Sequence, residues 1–259
     1  MSDDSPLLGA LLQRREPPLR VLVVHAHPDD EALCGGALLR ELHERGVRVS
    51  LLTCSRGEAG EIVAGAVPAD TPEWRLPEIR ERELRGSADA LGIADQFWLG
   101  TPPARAPGLP PRQYRDSGMR WIREGLAGPA DTHDAGSLTA AGLAEVVADI
   151  EAAIDVTEPD LIVSYDDRGG YGHPDHVRAR EASLSAARGR GIPFAEFTED
   201  RQASGVLWFS LPQHRDAVSA ALRHHRTQLK VDGDESGLTH SGGQWQALPL
   251  EIGLRPITH

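Results

Sequence analysis

Cysteine is scarce in this 259-residue chain, which contains only Cys34 and Cys54, and long apolar runs are missing. Two cysteines exclude a disulfide framework, and we predict that both are small packed side chains rather than metal ligands. No apolar stretch approaches the roughly 18 residues that a membrane span needs. Residues 1–4 are acidic where a secretory signal is basic. We therefore expect a cytoplasmic protein that does not cross a membrane.

Basic residues are also scarce, with 27 Lys and Arg against 39 Asp and Glu, and Lys230 is the one lysine. Affinity for nucleic acids depends largely on basic side chains that neutralise phosphates. The net charge of −12 therefore argues against a nucleic-acid partner and favours a neutral or cationic small molecule. A homo-oligomer remains an open alternative.

Apolar runs alternate with amphipathic segments through the first two thirds of the chain. Continuous apolar runs are typical of strands buried on both faces of a parallel sheet, and helical spacing of apolar residues predicts the segments between them. The predicted strands cover residues 21–25, 47–54, 96–99 and 161–165, and the predicted helices cover 31–45, 77–91 and 139–156. This order predicts an α/β fold, a Rossmann-like open and mostly parallel sheet with helices on both faces.

The remaining segments are less regular. We predict an N-terminal arm over 1–19 and one domain over 20–259, in which 20–185 form the Rossmann-like core and 186–259 complete the pocket. Residues 100–137 form a long Pro- and Gly-rich stretch, and a helix is expected through Gly189. A strand over 205–210, a helix over 213–228 and a polar tail follow. His25 is expected in the core or behind the site, whereas His224, His225 and His240 are expected to be solvated.

Unusual polar clusters follow two of the predicted strands, at the sheet edge where such folds bind ligands. Residues 26–31 (Ala-His-Pro-Asp-Asp-Glu) follow the first strand, and residues 169–176 (Gly-Gly-Tyr-Gly-His-Pro-Asp-His) follow the fourth. His27 and Asp30 can converge on one ion at a turn that opens a helix, and His176 can arrive from the second loop. Two nitrogens and one oxygen with an open fourth position are typical of catalytic zinc. Either cluster alone would favour a cap or a turn, but the two together predict a metal site.

Two other classes of protein share parts of this pattern. A nucleotide-binding Rossmann protein needs Gly-x-Gly-x-x-Gly after its first strand, where this chain has Asp29 and Asp30. A non-haem iron oxygenase also uses two histidines and one carboxylate. The predicted sheet and the lack of a recognisable cosubstrate site disfavour the oxygenase, which we keep as the alternative from a different class.

The motifs at 26–31 and 172–176 together resemble those of the PIG-L/LmbE-like deacetylase family, over roughly residues 20–185. The resemblance implies a Rossmann-like fold and a zinc-dependent hydrolase that removes acetyl groups from N-acetylglucosamine-containing substrates. It implies that His27, Asp30 and His176 are the metal ligands. Zn²⁺ is the expected ion, and Fe²⁺ remains an alternative.

Four neighbours of these ligands also have expected roles, which the resemblance implies for Asp29 and His173 and general chemistry suggests for Asp175 and Tyr171. Asp29 is expected to be the general base, since a carboxylate beside a metal can take a proton from activated water; a helix cap is its alternative role. His173 is expected to act as general acid or to stabilise the tetrahedral intermediate. Asp175 is expected to orient an imidazole. Tyr171 is expected to donate its hydroxyl to the oxyanion, or else to be a buried structural residue.

Within this family, residues 53–61, 80–84 and 115–119 are most similar to deacetylases of mycothiol biosynthesis, whose substrate is N-acetylglucosaminyl inositol. The similarity implies that Arg80 and Asp116 contact sugar hydroxyls, which suits charge-assisted hydrogen bonding. The 100–114 insert has no counterpart that we can place. A mycothiol-conjugate amidase and a deacetylase of another amino sugar therefore remain alternatives, whereas the catalytic residues disfavour an inactive carbohydrate-binding relative.

Overall fold

The computed structural model describes residues 19–131 and 134–257, so the predicted arm lies outside the described residues except for Leu19. The strands are β1 (Arg20–His25), β2 (Arg48–Thr53), β3 (Asp95–Trp98), β4 (Met119–Arg123), β5 (Leu126–Pro129), β6 (Leu161–Tyr165), β7 (Phe194–Thr198), β8 (Leu207–Ser210), β9 (Leu229–Val231), β10 (Gly237–His240), β11 (Trp245–Ala247) and β12 (Glu251–Ile257). The α-helices are α1 (Asp30–Cys34), α2 (Gly36–Glu44), α3 (Leu76–Leu91), α4 (Leu143–Thr157), α5 (Pro174–Arg190) and α6 (Arg215–His224). Within these described ranges no helix is long and apolar enough to cross a membrane.

The main sheet has the strand order β3-β2-β1-β6-β7-β12-β8. The pairs from β3 to β7 are all parallel, whereas β12 runs antiparallel to both β7 and β8. The predicted α/β fold with an open, mostly parallel sheet is therefore confirmed.

Two apolar layers cover the faces of this sheet. Val21 and Val23 of β1 pack with residues of α2, α3 and α6, whereas Leu22 and Val24 pack with residues of α4 and α5. Because side chains alternate along a strand, both sets must be apolar when helices cover both faces. This burial explains the continuous apolar run in β1.

The strand order places the two polar loops side by side. β1 pairs with β2 on one side and with β6 on the other. The strands that follow β1 are therefore added first on one side of it and then on the opposite side. Open α/β sheets bind ligands at such a switch point, outside the carboxyl ends of the strands. The loops that follow β1 and β6 meet at this edge.

The helix predicted over 31–45 is wrong in one respect, because it is divided at Gly35 into α1 and α2. Gly35 has φ −140°, outside the helical range. A Cβ atom there would lie 2.6 Å from Cζ of Phe197. The close packing of the Phe197 ring therefore requires glycine at the residue where the helix is interrupted.

Several strands were not predicted. β4 and β5 form a hairpin inside the Pro- and Gly-rich stretch, and β9, β10 and β11 form a small antiparallel sheet in the region predicted to be a polar tail. β7 and β12 extend the main sheet. β7 carries the buried Glu196, paired with Arg180 and Arg255, and β12 contains Gly253 and Pro256. Such residues are depleted in strands, so composition alone argues against both.

The 100–114 insert is attached to α4 by a buried polar cluster. Asp149 accepts hydrogen bonds from Arg105 (2.8 Å), from the hydroxyl of Tyr114 (2.7 Å) and from the backbone N–H of Ala106 (2.8 Å). Arg105 also donates to Glu145 (2.8 Å). One carboxylate on a core helix thus holds both the middle of the insert and its last residue.

Candidate metal centre and active site

The loop between β1 and α1 presents His27 and Asp30 at the carboxyl edge of the sheet. Oδ2 of Asp30 accepts hydrogen bonds from the backbone N–H of His27 (2.8 Å) and from the hydroxyl of Tyr165 (2.6 Å). Tyr165 ends β6, and its oxygen also accepts from the backbone N–H of Ala26 (2.7 Å). The end of one strand therefore orients a carboxylate in the loop of its neighbour.

His176 lies in the first turn of α5 and points its Nε2 atom toward that loop. Its Nδ1 is 3.2 Å from the carbonyl oxygen of Gly169, an acceptor, so Nδ1 carries the proton and the Nε2 lone pair is free. The ring of Tyr165 stacks on that of His176, with centroids 4.1 Å apart. Gly169 has φ +64°, and a Cβ atom there would lie 2.8 Å from Cβ of His176, so this position requires glycine.

One nitrogen of His27, one of His176 and the two carboxylate oxygens of Asp30 lie close together. Nδ1 of His27 is 3.3 Å from Nε2 of His176 and 3.6 Å from Oδ2 of Asp30, and Nε2 of His176 is 3.4 Å from Oδ1 of Asp30. Ligand atoms held about 2.0–2.1 Å from a tetrahedral zinc ion stand roughly 3.4 Å apart. The spacing and chemistry of this donor set therefore fit a divalent ion.

Two other groups near His27 have ligand atoms within 4.8 Å of one another, one with His173 and His176 and one with Asp116 and Asp175. The carboxylates face the opposite nitrogen of His27: its Nε2 is 3.2 Å from Asp175 and 3.6 Å from Asp116. Metal-ligating histidines commonly donate their second ring N–H to a carboxylate or a carbonyl. The two carboxylates therefore fit an outer layer that supports His27.

Asp175 is fully buried and is itself held in place. Its carboxylate accepts hydrogen bonds from the backbone N–H of Ser117 (2.9 Å) and from the Ser117 hydroxyl. The same hydroxyl accepts from the backbone N–H (3.1 Å) and the hydroxyl (2.9 Å) of Thr139. The 115–119 segment, which the sequence linked only to sugar binding, therefore also supports the imidazole of His27.

Asp29 lies beside the ligand cluster with an unusual backbone. Its φ is +104°, in a region that residues other than glycine rarely adopt, and its N–H donates to Oε2 of Glu31 (3.0 Å). Burial raises the pKa of Asp29 to about 7, and the negative charge of Asp30 acts in the same direction. A carboxyl group with this pKa can exchange a proton near neutral pH.

Asp30, the next residue along the chain, shows the opposite pKa shift. Burial acts to raise the pKa of Asp30, but the imidazoles of His176 and His27 outweigh burial and hold this pKa well below its ordinary value. The pKa values of the adjacent residues Asp29 and Asp30 are therefore shifted in opposite directions. Such a separation is typical of sites where one carboxylate stays charged and the other transfers a proton.

His173 caps the N-terminus of α5. Its Nδ1 accepts a hydrogen bond from the backbone N–H of Asp175 (3.1 Å), and its ring centroid lies 4.6 Å from that of His27. Burial, together with the imidazoles of His27 and His176, lowers the pKa of His173 to about 2. The imidazole is therefore neutral, and because Nδ1 is an acceptor its proton sits on Nε2.

Tyr171 lies at the mouth of the site and is not the buried residue of the alternative prediction, since 40% of its surface is exposed. Its ring centroid is 5.3 Å from that of His176 and 5.6 Å from that of Trp121 in the β4–β5 hairpin. The backbone N–H of Ala127 in β5 donates to the Tyr171 carbonyl (2.8 Å). The unpredicted β4–β5 hairpin thus borders the cluster of candidate ligand side chains.

The two predicted sugar-contacting residues have different surroundings. Asp116 has Oδ1 3.6 Å from Nε2 of His27 and accepts from the backbone N–H of Gly118 (2.8 Å). Arg80 is buried, and its guanidinium donates to the carbonyls of Gly57, of Gly60 (3.2 Å) and of residue 61. Arg80 therefore also holds the loop that follows β2.

The prediction that His225 is solvated is wrong, although His224 is exposed and His240 is half-buried as part of β10. His225 is fully buried, and its Nε2 is 2.6 Å from Oε1 of Glu31. Burial acts to lower the pKa of His225, but the carboxylate of Glu31 raises it above the ordinary value. The segment between α6 and β9 was predicted to be helical surface and instead reaches the base of the site.

The positions of His25, Cys34 and Cys54 agree with expectation. His25 is fully buried, with its ring stacked against Phe197 at a centroid distance of 5.7 Å. Cys54 is buried and Cys34 is half-buried, and both are free thiols. None of the three is in the metal-capable groups found among the described residues.

A family model described as "PIG-L: GlcNAc-PI de-N-acetylase" matches residues 22–187. This match covers more than half of the chain and includes both polar loops. The chain belongs to the PIG-L family.

Curated proteins to which this chain is similar include several named 1D-myo-inositol 2-acetamido-2-deoxy-α-D-glucopyranoside deacetylase. The protein from Kineococcus radiotolerans is 42% identical over 235 residues, which cover 88% of this chain and 62% of the relative. The protein from Saccharopolyspora erythraea is 34% identical over 252 residues, covering 83% of this chain and 79% of the relative. The chain thus spans about three fifths of the length of the Kineococcus relative.

Solved structures show the same fold at lower sequence identity. The N,N'-diacetylchitobiose deacetylase of Pyrococcus horikoshii aligns with a TM-score of 0.56 at 19% identity, covering 86% of this chain and 77% of that one. At this identity the likeness concerns the PIG-L fold alone.

Proposed function

We propose that this PIG-L protein is a metal-dependent hydrolase that removes the acetyl group from N-acetylglucosaminyl inositol, in mycothiol biosynthesis. The observation that carries the proposal is the convergence of His27, Asp30 and His176 within 3.6 Å, with Asp29 beside them. The names of the curated relatives support the substrate.

The proposed metal ligands are Nδ1 of His27, a carboxylate oxygen of Asp30 and Nε2 of His176. Zn²⁺ is the proposed ion because one oxygen and two nitrogens with an open position suit catalytic zinc, and Fe²⁺ is the alternative. The second nitrogen of each imidazole faces an acceptor, Asp175 for His27 and the Gly169 carbonyl for His176, which supports these assignments. When bound, the ion would lower the pKa of water and polarise the acetamide carbonyl.

Asp29 is the proposed general base. It takes a proton from the attacking water, and as the C–N bond breaks it returns that proton to the leaving nitrogen, so that acetate and a free amine are released. A pKa of about 7 suits both halves of this transfer, because the group accepts and donates a proton with little cost near neutral pH.

His173 is proposed to stabilise the tetrahedral intermediate by hydrogen bonding rather than to act as general acid. Its Nδ1 is occupied as an acceptor, so only the Nε2–H can point at a developing oxyanion. Tyr171, with its ring 6.1 Å from that of His173, is proposed to add a hydroxyl donor at the mouth of the site.

Asp116 and Arg80 are the proposed sugar-binding residues. Asp116 is buried near His27, where a carboxylate can accept from two vicinal hydroxyls of a glucosamine ring. Arg80 acts chiefly on the loop at residues 57–61 through its bonds to backbone carbonyls, and this loop would border the sugar.

A substrate panel tests this function. Purified protein loaded with Zn²⁺ or Fe²⁺ is assayed for amine release from N-acetylglucosaminyl inositol, N-acetylglucosamine, its oligomers and a mycothiol conjugate. The proposal expects the highest kcat/KM for N-acetylglucosaminyl inositol. Preference for the conjugate would identify an amidase instead, and no amine release from any of the four would overturn the hydrolase assignment.

A further inference from the structure

We propose that His225, acting through Glu31, is a positioning residue that holds the backbone of Asp29 in its left-handed conformation. The inference rests on the proposed function, in which Asp29 is the general base. The PIG-L family model matches residues 22–187. His225 lies outside this range, so the inference assigns a part in catalysis to a segment that the family model does not cover.

The backbone of Asp29 needs an external constraint. A non-glycine residue in a sparsely populated region of φ and ψ persists only when the surrounding structure fixes it. The N–H of Asp29, with φ +104°, donates to Oε2 of Glu31 at 3.0 Å. This side-chain acceptor faces the turn directly, so its position governs the direction of the Asp29 side chain.

Glu31 is in turn fixed from the other side. Its side chain is fully buried, and Oε1 accepts from the Ser87 hydroxyl of α3 and from Nε2 of His225 (2.6 Å). His225 is also fully buried. A buried carboxylate oxygen that loses a hydrogen-bond partner is left unsatisfied, and its side chain tends to move toward other donors. His225 therefore determines whether Glu31 stays an acceptor for Asp29.

The segment His225–Gln228 makes a second contact with the same turn. The side-chain amide of Gln228 donates to the carbonyl of Pro28, the residue before Asp29. Thr227 donates its hydroxyl to Glu83 of α3 (2.6 Å), which anchors the segment. The segment thus holds the turn at two points: directly at the carbonyl of Pro28, through Gln228, and indirectly at the N–H of Asp29, through the contact of His225 with Glu31.

The test compares two His–Glu pairs in which the imidazole is buried. His225→Leu removes the pair with Glu31. His214→Leu removes a pair with Glu41 (2.5 Å), and the side-chain partners of His214 are Glu41 and Glu44 of α2 rather than the Asp29 turn. We expect His225→Leu to lower kcat about tenfold to a hundredfold, the usual size for outer partners of a site, with KM changed less than about threefold. Metal content should stay at the wild-type level. His214→Leu should lower the melting temperature with little change in kcat.

Conservative variants separate positioning from folding. His225→Gln places an amide N–H near the position of Nε2 and should restore most of the kcat, whereas the shorter His225→Asn should not. If His225→Leu fails to fold, this Gln–Asn comparison still decides, and equal kcat values for the two would overturn the proposal. A kcat for His225→Leu equal to that of His214→Leu would also overturn it.

Crystal structures of the wild-type protein and of His225→Asn give a readout independent of substrate. The proposal expects Asp29 to leave the left-handed region and the contact between Asp29 N and Glu31 Oε2 to lengthen. An unchanged Asp29 backbone in the variant would overturn the inference even if the deacetylase activity is established. A displaced backbone in a protein that hydrolyses none of the substrates would instead overturn the proposed function alone.

Discussion

Oδ2 of Asp175 lies 3.2 Å from Nε2 of His27, on the side of the imidazole opposite to Asp30 and His176. The carboxylate keeps the proton of His27 on Nε2 and leaves the Nδ1 lone pair directed at the ligand cluster. Asp175, ten positions after the end of β6, thus sets the tautomer of a residue in the loop after β1.

Asp175→Asn should therefore weaken metal binding about tenfold to a hundredfold. The neutral amide oxygen is a weaker acceptor for the Nε2–H of His27 than the charged carboxylate, so the imidazole is less firmly oriented. Competition with a chelator measures the affinity. Asp149→Asn is the matched control, since Asp149 is an equally buried acceptor remote from the cluster. Equal metal affinity in the two variants would contradict the relationship proposed for His27.

Substitution of the ligands distinguishes between the two donor sets around His27. Asp30→Ala and His176→Ala should each abolish metal content and activity, because each removes one of three proposed ligands. His173→Ala should keep the metal, since Nδ1 of His173 accepts from the backbone of Asp175. Elemental analysis of the three variants decides, and loss of metal from His173→Ala would show that the three-histidine group holds the ion instead.

Asp29→Asn should retain the metal and lose roughly 10²–10⁴ in kcat, the usual contribution of a general base. Asparagine is the choice because it tolerates a positive φ better than most residues, so the turn with φ +104° is preserved. Amine release under saturating substrate gives kcat, and elemental analysis supplies the control. A variant of normal rate would remove Asp29 from the mechanism.

The core and the ligand loops could be predicted because their signals are local. The apolar run in β1 reflects burial on both sheet faces, and the His and Asp residues lie within a few positions of strand ends. The parallel order of the sheet then brings those ends together.

The support around the site could not be predicted in this way. Ser117, Thr139 and Tyr165 contact the site through hydroxyls that carry no sequence pattern, and the partner of Glu31 is 194 positions away. Of these residues, Tyr165 alone could have been identified from the sequence, because it is a polar residue at the end of a buried strand, just before the loop that carries His176. His225 had none, because adjacent histidines at the end of an amphipathic helix look equally solvated.

Tyr165→Phe tests whether such an unpredicted hydroxyl matters to the metal. The hydroxyl donates to Oδ2 of Asp30 at 2.6 Å and accepts from Ala26, so its removal frees a proposed ligand to rotate. We expect metal affinity to fall about tenfold, with the ring still stacked on His176. Tyr114→Phe is the matched control: its hydroxyl also donates to a buried carboxylate, that of Asp149, and its loss should lower stability by about 1–2 kcal/mol without changing metal affinity. Chelator competition and thermal unfolding of both variants separate the two effects, and a Tyr165→Phe protein that binds metal as tightly as Tyr114→Phe would show that Asp30 is held by the His27 backbone alone.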